Sequence, residues 1–228
     1  MTVRRYLLAL SLTLLPAVPA AAQTPPRPAA TTPTPAPEPV SRGYVGIISG
    51  VQEVERREPL LGAEFGIRFR NNFWLTVEGG RLTDIATKSR LDEVAFYAAF
   101  VQRTRGVTAS GDITAPTLFA LANVRFTAEK GWLGLRPYVL AGAGAARVEL
   151  KPEFQVDGQR VVGAISTYGI TLGKDLLGTT NRFAWGGGVG VTSGDKWYLD
   201  LGIRVTRIHT TDHPTTVYRA HVGLGRRF

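Results

Sequence analysis

The feature that most restricts the fold of this chain is an alternation of apolar and polar side chains in segments of about ten residues. In residues 197–206 every odd position is apolar, whereas the even positions include Asp200 and Arg204. A period of two places successive side chains on opposite faces of an extended strand. This segment therefore predicts a β-strand with one wholly apolar face and one face that carries charge.

The same alternation recurs along the chain from residue 42 onward. The further segments are 43–51, 61–70, 73–78, 118–127, 136–150, 183–192 and 216–228, and the facing is least distinct in the Gly- and Ala-rich segments 43–51 and 136–150. Short connections at 70–72, 128–134 and 193–196 alternate with longer ones at 52–59, 82–115, 151–181 and 208–215. This arrangement predicts an all-β, eight-stranded, antiparallel up-and-down transmembrane β-barrel with tight periplasmic turns and extracellular loops. Segments 91–103 and 160–168 could supply two more strands, so a ten-stranded barrel is the alternative.

The first forty residues differ in composition from the rest. Residues 1–22 predict a cleaved signal peptide, because Arg4 and Arg5 precede an apolar stretch that ends in small residues. Residues 23–41 are rich in Pro, Ala and Thr and predict an extended periplasmic linker, which leaves 42–228 as the barrel domain. The chain has no cysteine, which excludes disulfides and cysteine nucleophiles.

Three stretches make the chain similar to a known family. They are RPYVLAGAG at 136–144, WGGGVG at 185–190 and the terminal Phe228. In these stretches the chain resembles the bacterial outer-membrane β-barrel domain family, the small eight-stranded barrels of the outer membrane protein A type. The resemblance implies a bacterial outer-membrane location and Phe228 as a signal for the barrel-assembly machinery, and it says little about activity. The order of short and long connections predicts that the linker and C-terminus lie in the periplasm. We expect a non-enzymatic role in envelope integrity or surface interaction, with a possible extracellular partner at the two longest loops, 82–115 and 151–181.

The strand faces opposite the apolar stripes predict a charged barrel interior. An eight-stranded barrel is only wide enough to be filled by its own side chains. We expect its charged residues to form a paired network that closes the lumen, because an unpaired buried charge is costly. A path for protons or ions is the alternative. The predicted interior residues are Glu64, Arg68, Glu78, Arg125, Arg147, Glu149, Asp200, Arg204 and Arg219.

The formal charge of +9 is concentrated toward one predicted end of the barrel. This periplasmic basic rim comprises Arg42, Arg70, Lys130, Arg136, Lys196, Arg226 and Arg227. A ring of bases at the membrane border predicts contact with the anionic headgroups of outer-membrane lipids. The export signal and the spread of the bases around a rim disfavour nucleic acid as a partner.

Other function classes find weaker support in the sequence. His209, Asp212 and His213, with neighbouring threonines, could in principle hydrolyse a lipid or hold a metal ion, but a polar loop explains the same residues. We therefore expect no catalytic residues, no metal and no cofactor. A small-solute conduit is a further alternative on the same scaffold, as is a soluble periplasmic ligand-binding barrel. The latter would require apolar residues inside and charges outside.

Overall fold

The computed structural model describes residues 41–129, 131–161, 165–173, 176–210 and 214–228. The predicted leader and all of the predicted linker except Ser41 lie outside these residues. The elements are β1 Gly43–Glu53, β2 Arg57–Arg70, β3 Phe73–Leu82, α1 Lys88–Arg105, β4 Ala109–Thr114, β5 Thr117–Thr127, β6 Arg136–Val156, β7 Gln159–Val161, β8 Gly178–Ser193, β9 Trp197–Ile208 and β10 Thr215–Arg227. Two short 3-10 turns, Trp132–Gly134 and Ile165–Tyr168, lie between strands. Within the described part of the chain, no helix has the length and hydropathy needed to cross a membrane.

Eight strands close into an antiparallel ring in the order β1, β2, β3, β5, β6, β8, β9 and β10, and β10 pairs with β1. The predicted eight-stranded barrel is confirmed. Paired residues trace a path around the ring from Arg147 through Leu118, Arg81, Leu61, Ser49, Val222, Leu201 and Val191. The path returns to β6 at Pro137, ten residues before Arg147, where the path began. This offset means that the strands are tilted to the barrel axis, as closure requires.

The two ends of the barrel differ in their connections. At one end lie Ser41, where the described part of the barrel begins, the C-terminal Phe228, and the connections 71–72, 128–135 and 194–196, and we call it the turn end. The opposite end, which we call the loop end, carries α1, β4, β7 and the extension of β6 beyond the ring. This extension pairs with β4 over residues 151–156 and with β7 over residues 154–156.

One predicted loop is a tight hairpin. β1 continues to Glu53 and β2 begins at Arg57, and these two residues pair directly, so only three residues join the strands. The predicted long loop at 52–59, and with it the strict alternation of short and long connections, is therefore wrong. Glu53 and Arg57 also form an exposed ion pair, with 3.2 Å between carboxylate and guanidinium.

The two segments considered as further barrel strands take other conformations. Residues 91–103 lie in helix α1, whose buried residues Val94, Ala98 and Val101 follow helical spacing. The helix ends at Gly106, whose left-handed φ of 67° suits glycine and whose N–H donates to the carbonyl of Gln102. The described residues of segment 160–168 belong to short β7 and to a 3-10 turn. The ten-stranded barrel is wrong, because β4 and β7 lie outside the ring.

The outer face of the ring is an apolar belt. Its large side chains are between 42% and 65% exposed, as at Val45, Ile47, Leu61, Phe65, Val77, Leu118, Val124, Val139, Val189, Leu201, Ile203, Val222 and Leu224. On β5 the belt runs from Leu118 to Phe126, which at about 3.4 Å per residue and a tilt of about 40° gives a height of roughly 20 Å. Aromatic rings border the belt at both ends: Phe69, Phe73, Phe126, Trp197 and Phe228 at the turn end, and Phe183, Trp185 and Tyr218 at the loop end.

Candidate functional site

The barrel interior is filled in three layers, which a single strand illustrates. Along β9 the inward side chains are, from the turn end, Tyr198, Asp200, Arg204, Thr206 and Ile208, all of them buried. Tyr198 belongs to an aromatic layer, Asp200 and Arg204 to an ionic layer, and Ile208 to an apolar layer. Successive side chains of a strand point to opposite faces, so these even-numbered side chains lie inside while their odd-numbered neighbours form the outer belt.

Six charged side chains form the ionic layer as one alternating chain. Its order is Asp200, Arg125, Glu64, Arg204, Glu78 and Arg219. The guanidinium of Arg204 lies 2.6 Å from Glu64 and 2.5 Å from Glu78, and all six side chains are at most 5% exposed. Three acids balance three bases, so each buried charge has an opposite neighbour, which is the condition for tolerating charge at such burial.

Polar side chains complete the hydrogen bonding at the turn-end side of this chain. Asp200 Oδ1 accepts from Tyr138 OH at 2.8 Å and lies 2.9 Å from His221 Nε2. The hydroxyl of Tyr44 donates to Glu64, and the Arg125 guanidinium lies 3.6 Å from the ring centroid of Tyr138. Asp200 and Glu64 are therefore held by hydrogen bonds in addition to their ion pairs, and Arg125 by a cation–π contact.

The aromatic layer closes the interior at the turn end. The rings of Tyr44, Trp74 and Tyr198 are at most 6% exposed and pack edge to face, with centroid separations of 5.3 and 5.1 Å around Tyr44. Arg68 covers Trp74 from the rim at 4.9 Å, and Arg227 covers Tyr198 at 5.4 Å. The two cations therefore stack on the aromatic layer.

The apolar layer fills the loop end and continues into α1. Inward residues of the ring, among them Leu82, Phe119 and Ile208, form one cluster with Val94 and Val101 of the helix. Ile85 and Ala115, which join the helix and β4 to the ring, belong to the same cluster and are fully buried. Helix α1 is thus packed as a lid on the barrel mouth; we refer to residues 84–105 as the lid.

Asp84 fastens this lid to the ring. Its Oδ1 accepts from the backbone N–H of Ala86 at 2.8 Å and of Ala115 at 2.7 Å. Its carbonyl accepts from the Gln52 amide at 2.8 Å. A second connection joins Arg56 of the β1–β2 hairpin to Asp112 of β4 through two hydrogen bonds, which raise the pKa of the Arg56 guanidinium above its ordinary value.

The structure places six of the nine predicted interior residues in the ionic chain. Arg68 is half-buried on the aromatic layer instead. The prediction that Arg147 and Glu149 face inward is wrong: both are exposed on the outer face, where Glu149 pairs with Lys151 at 3.1 Å. The inward positions of this part of β6 are Ala146, Val148 and Leu150, which line the apolar layer.

Sequence reasoning missed the aromatic partners of the ionic chain. Tyr44 and Tyr138 lie in the two Gly- and Ala-rich strands, where weak contrast between neighbours gave little indication of facing. His221 of β10 also lies beside Asp200. The glycines next to these rings leave room for them, since a Cβ at Gly66 would overlap the Tyr44 ring.

The described members of the predicted basic rim all lie at the turn end. They are Arg42, Arg70, Arg136, Lys196, Arg226 and Arg227, whereas Lys130 lies outside the described residues. Arg136 pairs with Asp195 at 3.1 Å, and Arg227 donates to the carbonyl of Gly194. The backbone N–H groups of Arg42 and Gly43 donate to the carbonyl of Phe228, so the last residue is hydrogen-bonded to the first strand.

The histidine cluster suggested by the sequence is only partly within the described residues. His209 is exposed at the loop end and accepts a hydrogen bond from Trp185 Nε1 at 3.1 Å. Asp212 and His213 lie outside the described residues. Among the residues that are described, no group of three acidic or histidine side chains is arranged to hold a metal ion.

Comparisons with known proteins bear on the fold. No protein-family model and no curated protein sequence matches the chain. The structure is similar to neisserial surface protein A, at 12% identity and a TM-score of 0.46 over 82% of this chain and 96% of that one. It is also similar to the N-terminal β-barrel domain of Pseudomonas aeruginosa OprF, at 13% identity and 0.45 over 82% and 99%. A major outer membrane protein of Thermus thermophilus matches at 11% and 0.45 over 83% and 100%. The closed antiparallel ring of eight strands confirms the predicted fold by itself.

Proposed function

We propose that this protein is an integral outer-membrane barrel of a diderm bacterium that is closed to solutes and acts without catalysis, in envelope integrity or surface interaction. One observation carries the proposal: the six charged side chains of the ionic layer point into the ring, and the large apolar side chains of the belt point out. A soluble barrel with this arrangement would expose an apolar belt to water, which soluble monomers avoid. In a bilayer the same belt, bordered by aromatic rings, faces lipid.

The filling of the lumen supports a closed barrel. An open conduit needs a continuous aqueous path, whereas the aromatic, ionic and apolar layers occupy successive levels of the interior. The ionic layer is neutral and internally paired, so opening it would expose charges that now have partners. The apolar layer would also have to separate from α1. These features favour a structural role over the conduit alternative.

The orientation follows from the two ends. We place the turn end in the periplasm, with the linker and C-terminus, because tight turns face the periplasm in outer-membrane barrels. The basic rim would then meet the anionic headgroups of the inner leaflet. Phe228, exposed and with its ring 6.5 Å from Phe65, would present the terminal aromatic group to the barrel-assembly machinery during insertion.

The loop end would then be the surface presented to the outside. It is built on an ordered element, since α1 is packed on the mouth and Asp84 fastens it. The helix leaves Phe96 and Phe100 at 67% and 48% exposure. An ordered surface with exposed aromatic groups is suited to contact an extracellular partner.

Two measurements on the purified protein test this proposal. A folded outer-membrane barrel migrates differently on a gel before and after heating, and we expect this shift in bilayer vesicles. In planar bilayers we expect no steady conductance from the inserted protein. A chain that stays soluble without detergent would refute membrane insertion, and a steady open current would refute the closed lumen.

A further inference from the structure

A cationic groove lies on the outer face of the barrel, at its loop end. Arg81 of β3, Leu118 of β5 and Arg147 of β6 form one row, because Leu118 pairs with Arg81 on one side and with Arg147 on the other. With Pro116 and Thr117 they line a cavity of about 220 Å³, to which Glu149 also contributes. Two strand spacings separate the arginine backbones, or about 10 Å, so both guanidinium groups can reach a ligand above Leu118.

Both arginines lack an acidic partner among the described residues. Glu149 is the acid in the groove, and its carboxylate pairs with Lys151 at 3.1 Å. The groove therefore carries two uncompensated positive charges beside a neutral pair. This distinguishes it from the lumen, where each cation is paired, and from Arg57, which is paired with Glu53.

The groove lies at the border of the apolar belt. The next outward row toward the turn end is Gly79, Ala120 and Ala145, and the row after it is Val77, Ala122 and Ala143. Trp185, one of the loop-end aromatic residues, pairs with Ala143 on the neighbouring strand. If the barrel is inserted as proposed above, on which this inference rests, the two arginines lie at the level of the outer-leaflet headgroups.

We propose that this groove is a binding site for the phosphate group of a phosphorylated lipid in the outer leaflet. A guanidinium presents several N–H donors in a planar fork that matches phosphate oxygens, and two such groups satisfy one anion from both sides. The exposed Leu118 between them is apolar and supplies no competing acceptor. The small side chains below it leave space on the barrel wall along which an acyl chain can lie.

Native mass spectrometry of the folded, micelle-bound protein tests the site. Phosphatidic acid serves as the probe, because its phosphomonoester is free and carries net negative charge. Phosphatidylcholine serves as the reference, because its phosphate is esterified to choline and neutralised by it. We expect the first phosphatidic acid to bind roughly 30-fold more tightly than phosphatidylcholine, because about 1 kcal/mol near the surface from each of the two arginines sums to about 2 kcal/mol. The variant R81Q/R147Q should lose this preference. The matched control is R207Q, which removes an exposed outward arginine of β9 that does not line the groove, and it should stay within about twofold of the wild type.

Several outcomes would overturn the site. A wild type without preference for phosphatidic acid, or a preference that persists in R81Q/R147Q, shows that the groove does not bind phosphate. An equal loss in R207Q shows diffuse surface charge instead of a site. Displacement of the lipid by millimolar inorganic phosphate shows a site for the free anion. Every variant is first checked for the heat-dependent gel shift. If the wild type shows this shift but does not prefer phosphatidic acid, the lipid site is refuted and the proposed function stands. If the wild type shows no shift, the proposed function is refuted.

Discussion

Arg204 is the central cation of the ionic chain, and its replacement by Met is the perturbation with the most definite expected cost. It bridges Glu64 at 2.6 Å and Glu78 at 2.5 Å while only 2% exposed. In R204M, Glu78 keeps Arg219, but Glu64 keeps only Arg125 at 3.3 Å, and the lumen carries one excess negative charge. Leaving a buried charge without compensation costs about 3–5 kcal/mol. We expect this decrease in the free energy of unfolding, measured by urea titration in phospholipid vesicles.

The double variant R204M/E64Q separates charge imbalance from lost packing. Without Glu64 and Arg204, the chain divides into two complete pairs, Asp200 with Arg125 and Glu78 with Arg219. We therefore expect the second substitution to restore about 2–3 kcal/mol of the loss, although it removes a further native contact. If the two substitutions instead add, so that R204M/E64Q is less stable than R204M, the lumen is not a charge-coupled network and the reasoning fails.

Three further predictions concern the lid, the barrel wall and the belt. Replacing Asp84 by Ala removes the acceptor for two backbone N–H groups. Protease cleavage within residues 84–105 should therefore rise several-fold in vesicles, while the heat-dependent gel shift persists. Cleavage no faster than in the wild type would contradict the role of Asp84. Gly144→Ala should reduce the folded fraction on the same gel, because the added Cβ would overlap the carbonyl of Ala120. The control G79A should fold normally, because a Cβ at Gly79 would lie 3.4 Å from its nearest neighbouring atom. Equal folded fractions of the two variants would count against the close strand approach at Gly144. Leu201→Arg should lower the free energy of unfolding by about 2–4 kcal/mol and V205R, nearer the loop end, by about 0–1 kcal/mol; equal costs would exclude a bilayer-dependent effect.

The strands that the sequence predicts best are those whose two faces differ most. In β9 and β10 an apolar face alternates with a face that carries charge, and both strands keep their predicted facing in the structure. β5 keeps its predicted facing as well, although its inner face includes Phe119 and Leu121. β6 shows why the rule failed for Arg147 and Glu149. Residues 141–145 of β6 alternate between Ala and Gly. Nearer the loop end, the inner face of this strand is apolar and its outer face is charged. Local alternation cannot reveal that the interior changes from ionic to apolar along one strand.

The partners within the lumen depend on closure of the ring and could not be predicted individually. Arg204 and Glu64 are 140 positions apart, and Arg219 and Glu78 are 141 apart. Their pairing is set by strand register around the whole barrel. Helix α1 escaped prediction for a different reason. Its apolar residues surround the helix on more than one side, because some pack on the barrel mouth while Phe96 and Phe100 stay exposed, so no helical stripe was evident.

Spin labelling can establish whether the apolar side chains of the belt face lipid around a closed ionic interior. The chain has no cysteine, so single cysteines can be introduced without background. Nitroxides at Leu201→Cys and Val222→Cys, with Phe100→Cys on α1 as the water-exposed control, are compared in vesicles for relaxation by oxygen and by a water-soluble nickel complex. We predict strong relaxation by oxygen and little by nickel at positions 201 and 222, and the reverse at position 100. Strong nickel relaxation at 201 and 222 would contradict a lipid-facing belt.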